Sequence, residues 1–353
     1  MGGDDKAGVT ARARLDALAK PVGSLGRLER LGAQLCQAQG ACPPNAQARV
    51  VIFAGDHGVT SEGVSPFPAT LTMAMVRTIL EGRATVSCLA RAAGADLELV
   101  NVGVAQAIPA TWVAAEGSHA IALVDAAVSA GTQNLKTGPA MTAAQASQAI
   151  AAGRETTRRA AAAGVGVIAM GELGIGNTTP SSALVARLLE EEPAHVVGPG
   201  TGLDAEGVSR KAAVVQQALA RGGSVASDAL ACLADLGGFE HAAMVGLMLE
   251  ARERRIAVLV DGFIASAAAL VAVRIDPAVR HQLVFATRSA EPGHHRVVQA
   301  TAPGAEPLLD WGLRLGEASG AALALPLLTA AARLFTEVAT LEEVLALAQA
   351  SAP

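Results

Sequence analysis

Aromatic residues and clustered positive charge are both scarce in this sequence. Tyr is absent and aromatics make up 2% of the 353 residues, so stacking platforms for single-stranded nucleic acid are not expected. The 27 Lys and Arg residues are scattered among 32 Asp and Glu residues, and the net charge is −5. Nucleic-acid binding needs a concentrated basic surface, so we expect no nucleic-acid partner.

Cysteine is rare, and its spacing suits neither a disulfide framework nor a metal site. Cys36, Cys42, Cys88 and Cys232 form no CxxC pair and lie in no His-rich pattern, so we expect reduced thiols. Residues 1–20 are polar and charged, which is not typical of a signal peptide. Both observations predict a cytoplasmic protein.

Uninterrupted apolar runs of membrane-spanning length are also lacking. The stretch that comes nearest, residues 256–275, carries Asp261, Gly262 and Ser266 in its middle. Polar residues at that depth of a bilayer are costly, and the stretch divides naturally into a strand, a turn and a helix. We expect a buried βα unit there and no membrane partner.

What the chain does have is a regular alternation of short apolar runs with alanine-rich helical patterns. The predicted strands are residues 48–54, 97–104, 121–124, 165–170, 194–197, 256–260 and 283–286. Strands that alternate with helices over short links predict a doubly wound α/β fold, with a mostly parallel sheet flanked by helices. Its ligand should lie along the carboxyl edge of the strands.

The two ends of the chain depart from this alternation. Residues 311–349 are almost wholly helical in pattern, and helical patterns also fill the first part of the chain. We therefore predict an α/β core domain at residues 46–300. An N-terminal helical segment at 1–45 and a C-terminal one at 301–353 would together form a smaller helical part.

The most informative stretch is residues 165–184, VGVIAMGELGIGNTTPSSAL. An apolar run suited to a buried strand leads into a glycine-rich turn containing Gly174 and Gly176, and then into a helix with Thr179 as the expected N-cap and Pro180 at its first position. A strand, a glycine turn and a helix N-terminus favour binding of an anion. A tight structural turn is the alternative, since the motif is neither a Walker A loop nor a dinucleotide fingerprint.

Charged residues near the predicted strand ends favour a functional site. Glu172 follows the strand at the mouth of the predicted anion site, where a purely structural carboxylate is unfavourable. A second glycine-rich turn, residues 198–202, is followed by Lys211, which can reach the same anion or remain a solvated surface charge. Asp261, at the end of another strand, is a candidate acceptor for sugar hydroxyls.

Three further segments carry candidate chemistry with open alternatives. Asp56 and His57 could form an acid–base pair or a metal pair, but no third ligand lies within sequence range, and we predict no metal. Residues 63–68, GVSPFP, form either a stiff apolar wall or a rigid connection. Glu317 lies among Leu and Ala residues that would desolvate it and make it a better base, or it is an ordinary glutamate at a helix start.

Ten motifs in register resemble one known family, that of nicotinate-nucleotide:dimethylbenzimidazole phosphoribosyltransferases. They are KPVGSLGRLE (20–29), FAGDHGV (53–59), GVSPFP (63–68), GPAMT (138–142), GELGIGNTT (171–179), GTGLD (200–204), GGFEHAAMVG (237–246), DGFIASAAAL (261–270), SAEPGH (289–294) and LRLGEASGA (313–321). The resemblance covers almost the whole chain. It implies the α/β fold, a homodimer and a role in assembly of the lower ligand of cobalamin.

The resemblance also implies the reaction and its residues. The phosphoribosyl group of nicotinate mononucleotide moves to a nitrogen of dimethylbenzimidazole, giving α-ribazole 5′-phosphate and nicotinate, with no cofactor. The pyridinium leaving group activates C1′, so the reaction calls for a base and for binding groups. The family's catalytic base falls on Glu317, with Glu172 as a supporting carboxylate. The predicted substrate-binding residues are Gly174, Gly176, Asn177, Thr178, Gly200, Thr201, Gly202, Lys211, Asp261, Ser65, Pro66, Met75 and Leu315.

Four positions depart from the family pattern. Ala74 stands where Gln is common, Pro199 where Arg is frequent, Thr287 where His is frequent, and Asn101 where Asp is usual. Ala74 bears on the choice of acceptor, so another benzimidazole, adenine or a phenol is an alternative on the same scaffold. A non-catalytic nucleotide-binding module is a further alternative, disfavoured by the presence of Glu317.

Overall fold

A single parallel sheet forms the centre of the computed structural model, which describes residues 2–112, 121–221 and 228–350. Its strands are β1 (Ala48–Gly55), β2 (Asp96–Gly103), β3 (Ile121–Asp125), β4 (Val167–Leu173), β5 (Ala257–Val260) and β6 (Leu283–Phe285). They lie in the order β3-β2-β1-β4-β5-β6, and every neighbouring pair is parallel. This is the order of doubly wound dinucleotide-binding folds, which confirms the predicted fold class.

Helices account for most of the remaining described chain. They are α1 (Gly2–Asp16), α2 (Arg27–Gln39), α3 (Leu71–Leu80), α4 (Thr85–Ala92), α5 (Ala143–Ala162), α6 (Thr178–Leu189), α7 (Pro193–Val196), α8 (Ala205–Arg221), α9 (Ala229–Leu236), α10 (Phe239–Arg254), α11 (Phe263–Ile275), α12 (His294–Thr301), α13 (Ser319–Glu337) and α14 (Leu341–Ala350). Short 3-10 helices lie at Gly58–Glu62, Ala110–Trp112 and Pro277–Gln282.

Alternate residues of each strand face opposite sides of the sheet and create two cores. Val51 and Phe53 of β1 pack with residues of α5, α6 and α9 to α12. Val50 and Ile52 face the other side, where α2, α3, α4 and α13 pack. Both faces are therefore covered by helices, which is why the strands have continuous apolar sequences rather than an alternation with polar residues.

The terminal helices pack together at one end of the second core. Leu15 of α1, Cys36 of α2 and Phe335 of α13 belong to one small buried cluster. However, α2 and α13 also cover the sheet beside α3 and α4. The division of the chain at residues 45 and 300 stays a prediction.

One predicted strand is wrong. Residues 194–197 do not join the sheet, because Pro193 begins the short helix α7 and the Val197 N–H bonds the Pro193 carbonyl. Proline fits the first position of a helix, where its fixed φ is already suitable and no N–H is needed. The glycine-rich turn at residues 198–202 consequently follows a helical turn, not a strand.

The almost wholly helical pattern predicted for residues 311–349 is only partly correct. Helix α13 begins at Ser319, and α14 is separate from it. The preceding loop includes Gly312, Gly316, Glu317 and Ala318 with φ of 69°, 82°, 59° and 59°, and left-handed backbone cannot continue a right-handed helix.

Two apolar segments bear on membrane insertion. Residues 256–275 form β5, a turn and α11, as predicted. Helix α13 is long and apolar enough to cross a bilayer by length and composition, but 56% of its most apolar 18 residues are buried in the fold. It packs against α2, α4 and β4, so its apolar character is accounted for by core packing.

Candidate active site

A cavity of about 310 Å³ opens at the carboxyl edge of the sheet, around the ends of β4 and β5. Strand order reverses between β1 and β4, and ligands of doubly wound folds bind where neighbouring connections diverge in this way. The loop before α13 covers one side of the cavity, and α3 and α4 bound another. Topology therefore places the predicted site in a single depression.

One wall of the cavity is apolar. It is formed by side chains from the GVSPFP loop, from α3 and α4, and from the segment around the start of α13. These are Phe67, Leu71, Met75, Leu89, Leu313, Leu315 and Leu323. Phe67 and Leu315 are 45% and 51% exposed, so this wall leaves apolar surface available for a flat hydrophobic group.

Four carboxylates line the cavity. Glu291 binds the Gly200 N–H, and the other three are Glu172 at the end of β4, Asp261 after β5, and Glu317 in the loop before α13. These three are buried, with exposures of 5%, 4% and 7%. The Asp261 carboxylate accepts a hydrogen bond from the Ala321 N–H at 2.8 Å. The side-chain amide of Asn177 donates to Glu172.

Burial raises the pKa of the carboxyl groups of Glu172, Asp261 and Glu317, because the charged form loses solvation. The pKa of Glu172 rises to about 8 through burial and the neighbouring Asp261 and Glu240 charges, although Asn177 opposes the shift. The pKa of Glu317 rises to about 7 through burial and then Asp261. Burial raises the pKa of Asp261 to about 6, against backbone hydrogen bonds that lower it.

The backbone around Glu317 is unusual. Glu317 and Ala318 both have φ of 59°, in a region that costs non-glycine residues energy and is concentrated at functional sites. The Ser319 N–H closes the turn on the Gly316 carbonyl at 2.9 Å. Among the described residues, Glu317 Oε2 has no hydrogen-bond partner although it is buried. Glu317 is therefore not an ordinary helix-start glutamate, and its free oxygen can accept a proton.

The glycine turn after β4 lies opposite these carboxylates. Helix α6 begins at Thr178 with Asn177 as N-cap, so the prediction of Thr179 as N-cap and Pro180 as first helical residue is wrong. The Asn177 side chain is engaged by Glu172 and makes no capping bond. Pro180 lies at the third helical position, where its missing N–H would have no intrahelical acceptor.

Lys211 joins the two glycine-rich turns. Its Nζ donates to Thr178 Oγ1 at 2.7 Å and to the Gly198 carbonyl at 3.1 Å, and the residue has no exposed surface. Burial lowers the pKa of Lys211 to about 8, although Glu291 acts in the opposite direction. The alternative of a solvated surface charge is thus excluded. We call residues 174–178 and 198–202, with Lys211, the anion cradle.

Ten of the predicted site residues line the cavity. They are Glu172, Gly174, Asn177, Thr178, Gly200, Thr201, Asp261, Met75, Leu315 and Glu317. Five do not: Ser65, Pro66, Gly176, Gly202 and Lys211. Ser65 instead accepts a hydrogen bond from the Phe67 N–H at 3.2 Å, and Lys211 acts through Thr178. Pro66 and Gly202 are exposed.

One cavity residue, and one buried contact behind the cavity, were missed from the sequence. Glu291 lines the cavity and accepts from the Gly200 N–H at 2.8 Å; the SAEPGH motif could have indicated it. His57, Glu240 and His241 form a buried group in which both histidines lie within ion-pair distance of Glu240. GDHG and GFEH carried that signal, but nothing in one sequence shows that these two segments meet.

The four departures from the family pattern have different surroundings. Thr287 lines the cavity, and its hydroxyl donates to the Asp261 carbonyl at 3.0 Å. Asn101 donates to Asp125 and accepts from the Gly103 N–H at the end of β2. Pro199 is exposed, and Ala74 is exposed on α3 rather than lining the cavity. Within residues 2–112, 121–221 and 228–350, no cluster of His, Cys, Asp or Glu is arranged to hold a metal.

Comparisons with known proteins agree along nearly the whole chain. A family model described as Phosphoribosyltransferase matches residues 2–345. A protein of Azotobacter vinelandii named nicotinate-nucleotide–dimethylbenzimidazole phosphoribosyltransferase is 50% identical over 341 residues, covering 96% of this chain and 94% of that protein. A Pseudomonas fluorescens protein of the same name is 49% identical over 334 residues, covering 94% and 92% of the two chains.

Solved structures give the same result for the fold. The crystal structure of CobT from Thermus thermophilus superposes with a TM-score of 0.88 at 41% identity, covering 96% of this chain and 98% of that one. A second structure from the same organism, titled as the nicotinate-nucleotide–dimethylbenzimidazole phosphoribosyltransferase, has a TM-score of 0.86 at 40% identity. The similarity therefore includes both sequence and topology.

Proposed function

Because the chain belongs to the phosphoribosyltransferase family, as its sequence motifs predicted, we propose that it transfers phosphoribose from nicotinate mononucleotide to dimethylbenzimidazole. The products are α-ribazole 5′-phosphate and nicotinate, in assembly of the cobalamin lower ligand. The observation that carries this proposal is Glu317, a buried carboxylate with a free oxygen between an apolar wall and the anion cradle.

The anion cradle suits the 5′-phosphate of the donor. Backbone groups of the two glycine turns, the N-terminus of α6 and the Thr178 hydroxyl converge there, and helix N-termini favour anions. Lys211 adds a cation behind Thr178 at 2.7 Å. A bound phosphate would raise the pKa of Lys211 from about 8, because a nearby negative charge favours the protonated amine. Asp261 and Glu172 then lie where the ribose hydroxyls would reach.

The apolar wall suits the aromatic acceptor, and Glu317 suits its proton. In the transfer, the acceptor's nitrogen lone pair forms the new bond to C1′. The bond from C1′ to the pyridinium nitrogen breaks, and its electrons neutralise the positive charge of that nitrogen as nicotinate leaves. The acceptor's N–H proton goes to the Glu317 carboxylate. The pKa of Glu317, about 7, is close to that of an effective base at neutral pH. Attack opposite the departing nicotinate inverts the β configuration to α.

Product analysis tests the reaction and the choice of acceptor together. Purified protein is given nicotinate mononucleotide with dimethylbenzimidazole, with another benzimidazole, with adenine or with a phenol, and products are separated by chromatography. We expect nicotinate and α-ribazole phosphate in equal amounts with dimethylbenzimidazole. If product forms only with another acceptor, that acceptor is the substrate and the proposed mechanism still applies. Tight donor binding without nicotinate release would instead support a non-catalytic nucleotide-binding module.

We further propose that the protein works as a cytoplasmic homodimer. The cysteines at positions 36, 42, 88 and 232 are unpaired thiols, which suits a reducing compartment. Helix α14 exposes Leu341, Val344, Leu345 and Leu347, and an apolar stripe of this kind suits contact with another copy. Light scattering coupled to gel filtration tests the dimer: a mass near twice 35.4 kDa is expected, and a monomer at all concentrations would contradict it.

A further inference from the structure

A chain of buried polar side chains lies behind the anion cradle without lining the cavity. Its members are His57 after β1, Glu240 and His241 in the first turn of α10, and Ser181 in α6. His57 is 3% exposed and the others 0%. Glu240 Oε1 lies 2.9 Å from His57 Nε2 and 2.7 Å from His241 Nδ1. The reaction proposed above uses none of them. We call these four residues the back chain.

Three positions around the back chain are occupied by glycine. A Cβ at Gly238 would lie 2.5 Å from both His57 Cε1 and Glu240 Oε2. One at Gly174 would lie 3.1 Å from His57 Nε2, and one at Gly55 would lie 3.3 Å from Glu240 Oε2. None of the three has a positive φ, so their conformation does not require glycine. Glycine at positions 238 and 55 makes room for the buried His57–Glu240 pair, whereas a Cβ at Gly174 would first meet the Gly55 carbonyl oxygen at 2.3 Å.

The back chain contacts the cradle at two points. The His57 ring lies beside Gly174, since a Cβ there would be 3.1 Å from His57 Nε2. At the other end, Ser181 Oγ lies 2.8 Å from His241 Nε2 and 2.8 Å from the Asn177 carbonyl. The Asn177 side-chain amide in turn donates to Glu172. An unbroken series of contacts thus joins Glu240 to a carboxylate of the cavity.

Building on the proposed function, we propose that His57, Ser181, Glu240 and His241 are positioning residues for the phosphoribosyl site. From behind the cradle they hold the Gly174 turn and the Asn177–Glu172 pair in the arrangement that receives nicotinate mononucleotide. Among the described residues the contacts of Glu240 with His57 and His241 have ion-pair distances without hydrogen-bond geometry, so attraction between the buried charges holds the arrangement, and displacing one member leaves a buried charge unpaired. A small displacement of substrate-positioning groups costs much of the rate.

The charge of Glu240 gives this proposal an electrostatic signature. Burial acts to raise the pKa of Glu240, but His57 and His241 outweigh it and hold that pKa below its usual range. Burial acts to lower the pKa of His57, but the charges of Glu240 and Asp56 outweigh it and leave that pKa raised. Glu240 therefore stays ionised.

Glu172 senses that charge. Besides Glu240 from α10, it faces Asp261 beyond β5, Glu317 from the loop before α13, and the Asn177 amide from α6. The negative charges raise the pKa of Glu172, because they disfavour a further negative charge nearby. Removing the Glu240 charge should therefore lower the pKa of Glu172 while the other groups stay in place.

Glu240→Gln and Glu250→Gln form a matched pair of variants. Glu250 is also on α10, is 1% exposed, and pairs with Arg154, Arg158 and Arg254 at the far end of the helix. For E240Q we expect kcat/KM for nicotinate mononucleotide to fall about 10- to 100-fold, with KM for dimethylbenzimidazole nearly unchanged. We expect E250Q to retain the wild-type kinetic constants.

The second readout needs no turnover. The titration of Glu172 is followed by NMR of protein carrying carboxyl-labelled glutamate, with the signal assigned through Glu172→Gln. In E240Q the Glu172 midpoint should move to lower pH, and in E250Q it should stay. If E240Q matches E250Q in both kinetics and titration, the inference is wrong. A wild-type protein that transfers nothing would instead count against the proposed function, and the titration would still decide the coupling.

Ser181→Ala keeps the inference testable if E240Q does not fold. This variant keeps the buried Glu240 and His57 side chains and removes only the hydroxyl between His241 and the Asn177 carbonyl. We expect a fall in kcat/KM for nicotinate mononucleotide of about 10-fold, with the Glu172 midpoint moving to higher pH because the Asn177 hydrogen bond that lowers it is weakened. Wild-type kinetics in S181A would overturn the positioning role.

Discussion

Gly171 of β4 and Ala318 of the loop before α13 are in closer contact than any side chain would allow. A Cβ on Gly171 would lie 2.1 Å from the Ala318 nitrogen and 2.5 Å from its Cα. This approach presses the left-handed turn at Glu317 against the strand that carries Glu172. The central strand therefore determines where the proposed base lies.

Gly171→Ala should consequently damage catalysis through the position of Glu317. The added methyl must push the Ala318 backbone away, because values under 3.0 Å are essentially never seen for real Cβ contacts. We expect kcat to fall about 100-fold, as displacement of a catalytic group by about 1 Å does elsewhere. Gly138→Ala is the control, since a Cβ there meets nothing within 4 Å. Equal kcat in both variants would disprove this link.

Glu317→Gln removes the proposed base with little change of shape. The rate of transfer should fall about 10²- to 10⁴-fold, the usual contribution of a general base, while circular dichroism and the melting temperature stay near wild type. Glu306→Gln serves as the control because its side chain is 71% exposed and lies outside the cavity. Turnover of E317Q near the wild-type rate would show that Glu317 is not the general base.

The pH dependence of transfer should follow Glu317. The base must be ionised to accept a proton, so kcat should rise with pH through about 7, the pKa to which burial and Asp261 raise this group. Asp261→Asn removes one of these two causes and should move the midpoint to lower pH. The measurement is kcat between pH 5 and 9 with both substrates saturating. An unchanged midpoint in D261N would rule out coupling between the two carboxyl groups.

Lys211→Met tests the anion cradle. The substitution keeps an unbranched apolar stem but deletes the amine that contacts Thr178 and the Gly198 carbonyl. Loss of a charge-assisted interaction worth about 1.5–3 kcal/mol should raise KM for nicotinate mononucleotide roughly 10- to 100-fold. Nicotinate riboside, which lacks the phosphate, should be used equally well by both proteins. Equal losses with both donors would show that Lys211 supports the fold instead.

Most of the fold could be predicted from the sequence because its dominant signals are local. Doubly buried parallel strands have short apolar sequences, and β1, β2 and β5 were located to within one residue and β4 to within three, inside the usual uncertainty of boundaries. Residues 194–197 failed because a four-residue apolar run suits either a strand or a helical turn. Only Pro193 distinguished the two.

A place in the cavity was predictable where a strand end or a family motif marks the residue, as at Glu172, Asn177 and Glu317. Contacts between distant segments were not predictable. The back chain joins a residue after β1 to one at the start of α10, and that contact exists only once the sheet and α10 have assembled. The left-handed φ at Glu317 was likewise hidden, since the surrounding Leu and Ala residues have a helical pattern.

Glu172 makes a final prediction, on stability. Its pKa is about 8 in the folded protein against an ordinary 4.5, so between these pH values the folded state holds a proton that the unfolded chain has released. Stability therefore falls as pH rises from about 4.5 to 8, because the unfolded state binds fewer protons. Asp261 and Glu317, whose pKa values are also raised, contribute with the same sign.

Glu172→Gln removes one of these titrations while keeping an acceptor for Asn177. The loss of unfolding free energy between pH 5 and pH 8, measured by urea denaturation, should shrink by on the order of 1–3 kcal/mol relative to wild type. Glu337→Gln, whose side chain is 60% exposed, should leave that difference unchanged. If E172Q and wild type lose the same stability across this range, Glu172 is ionised throughout it. Glu172 would then contribute a negative charge to the site at every pH in this range. The rise of kcat with pH would in that case report the ionisation of Glu317 alone.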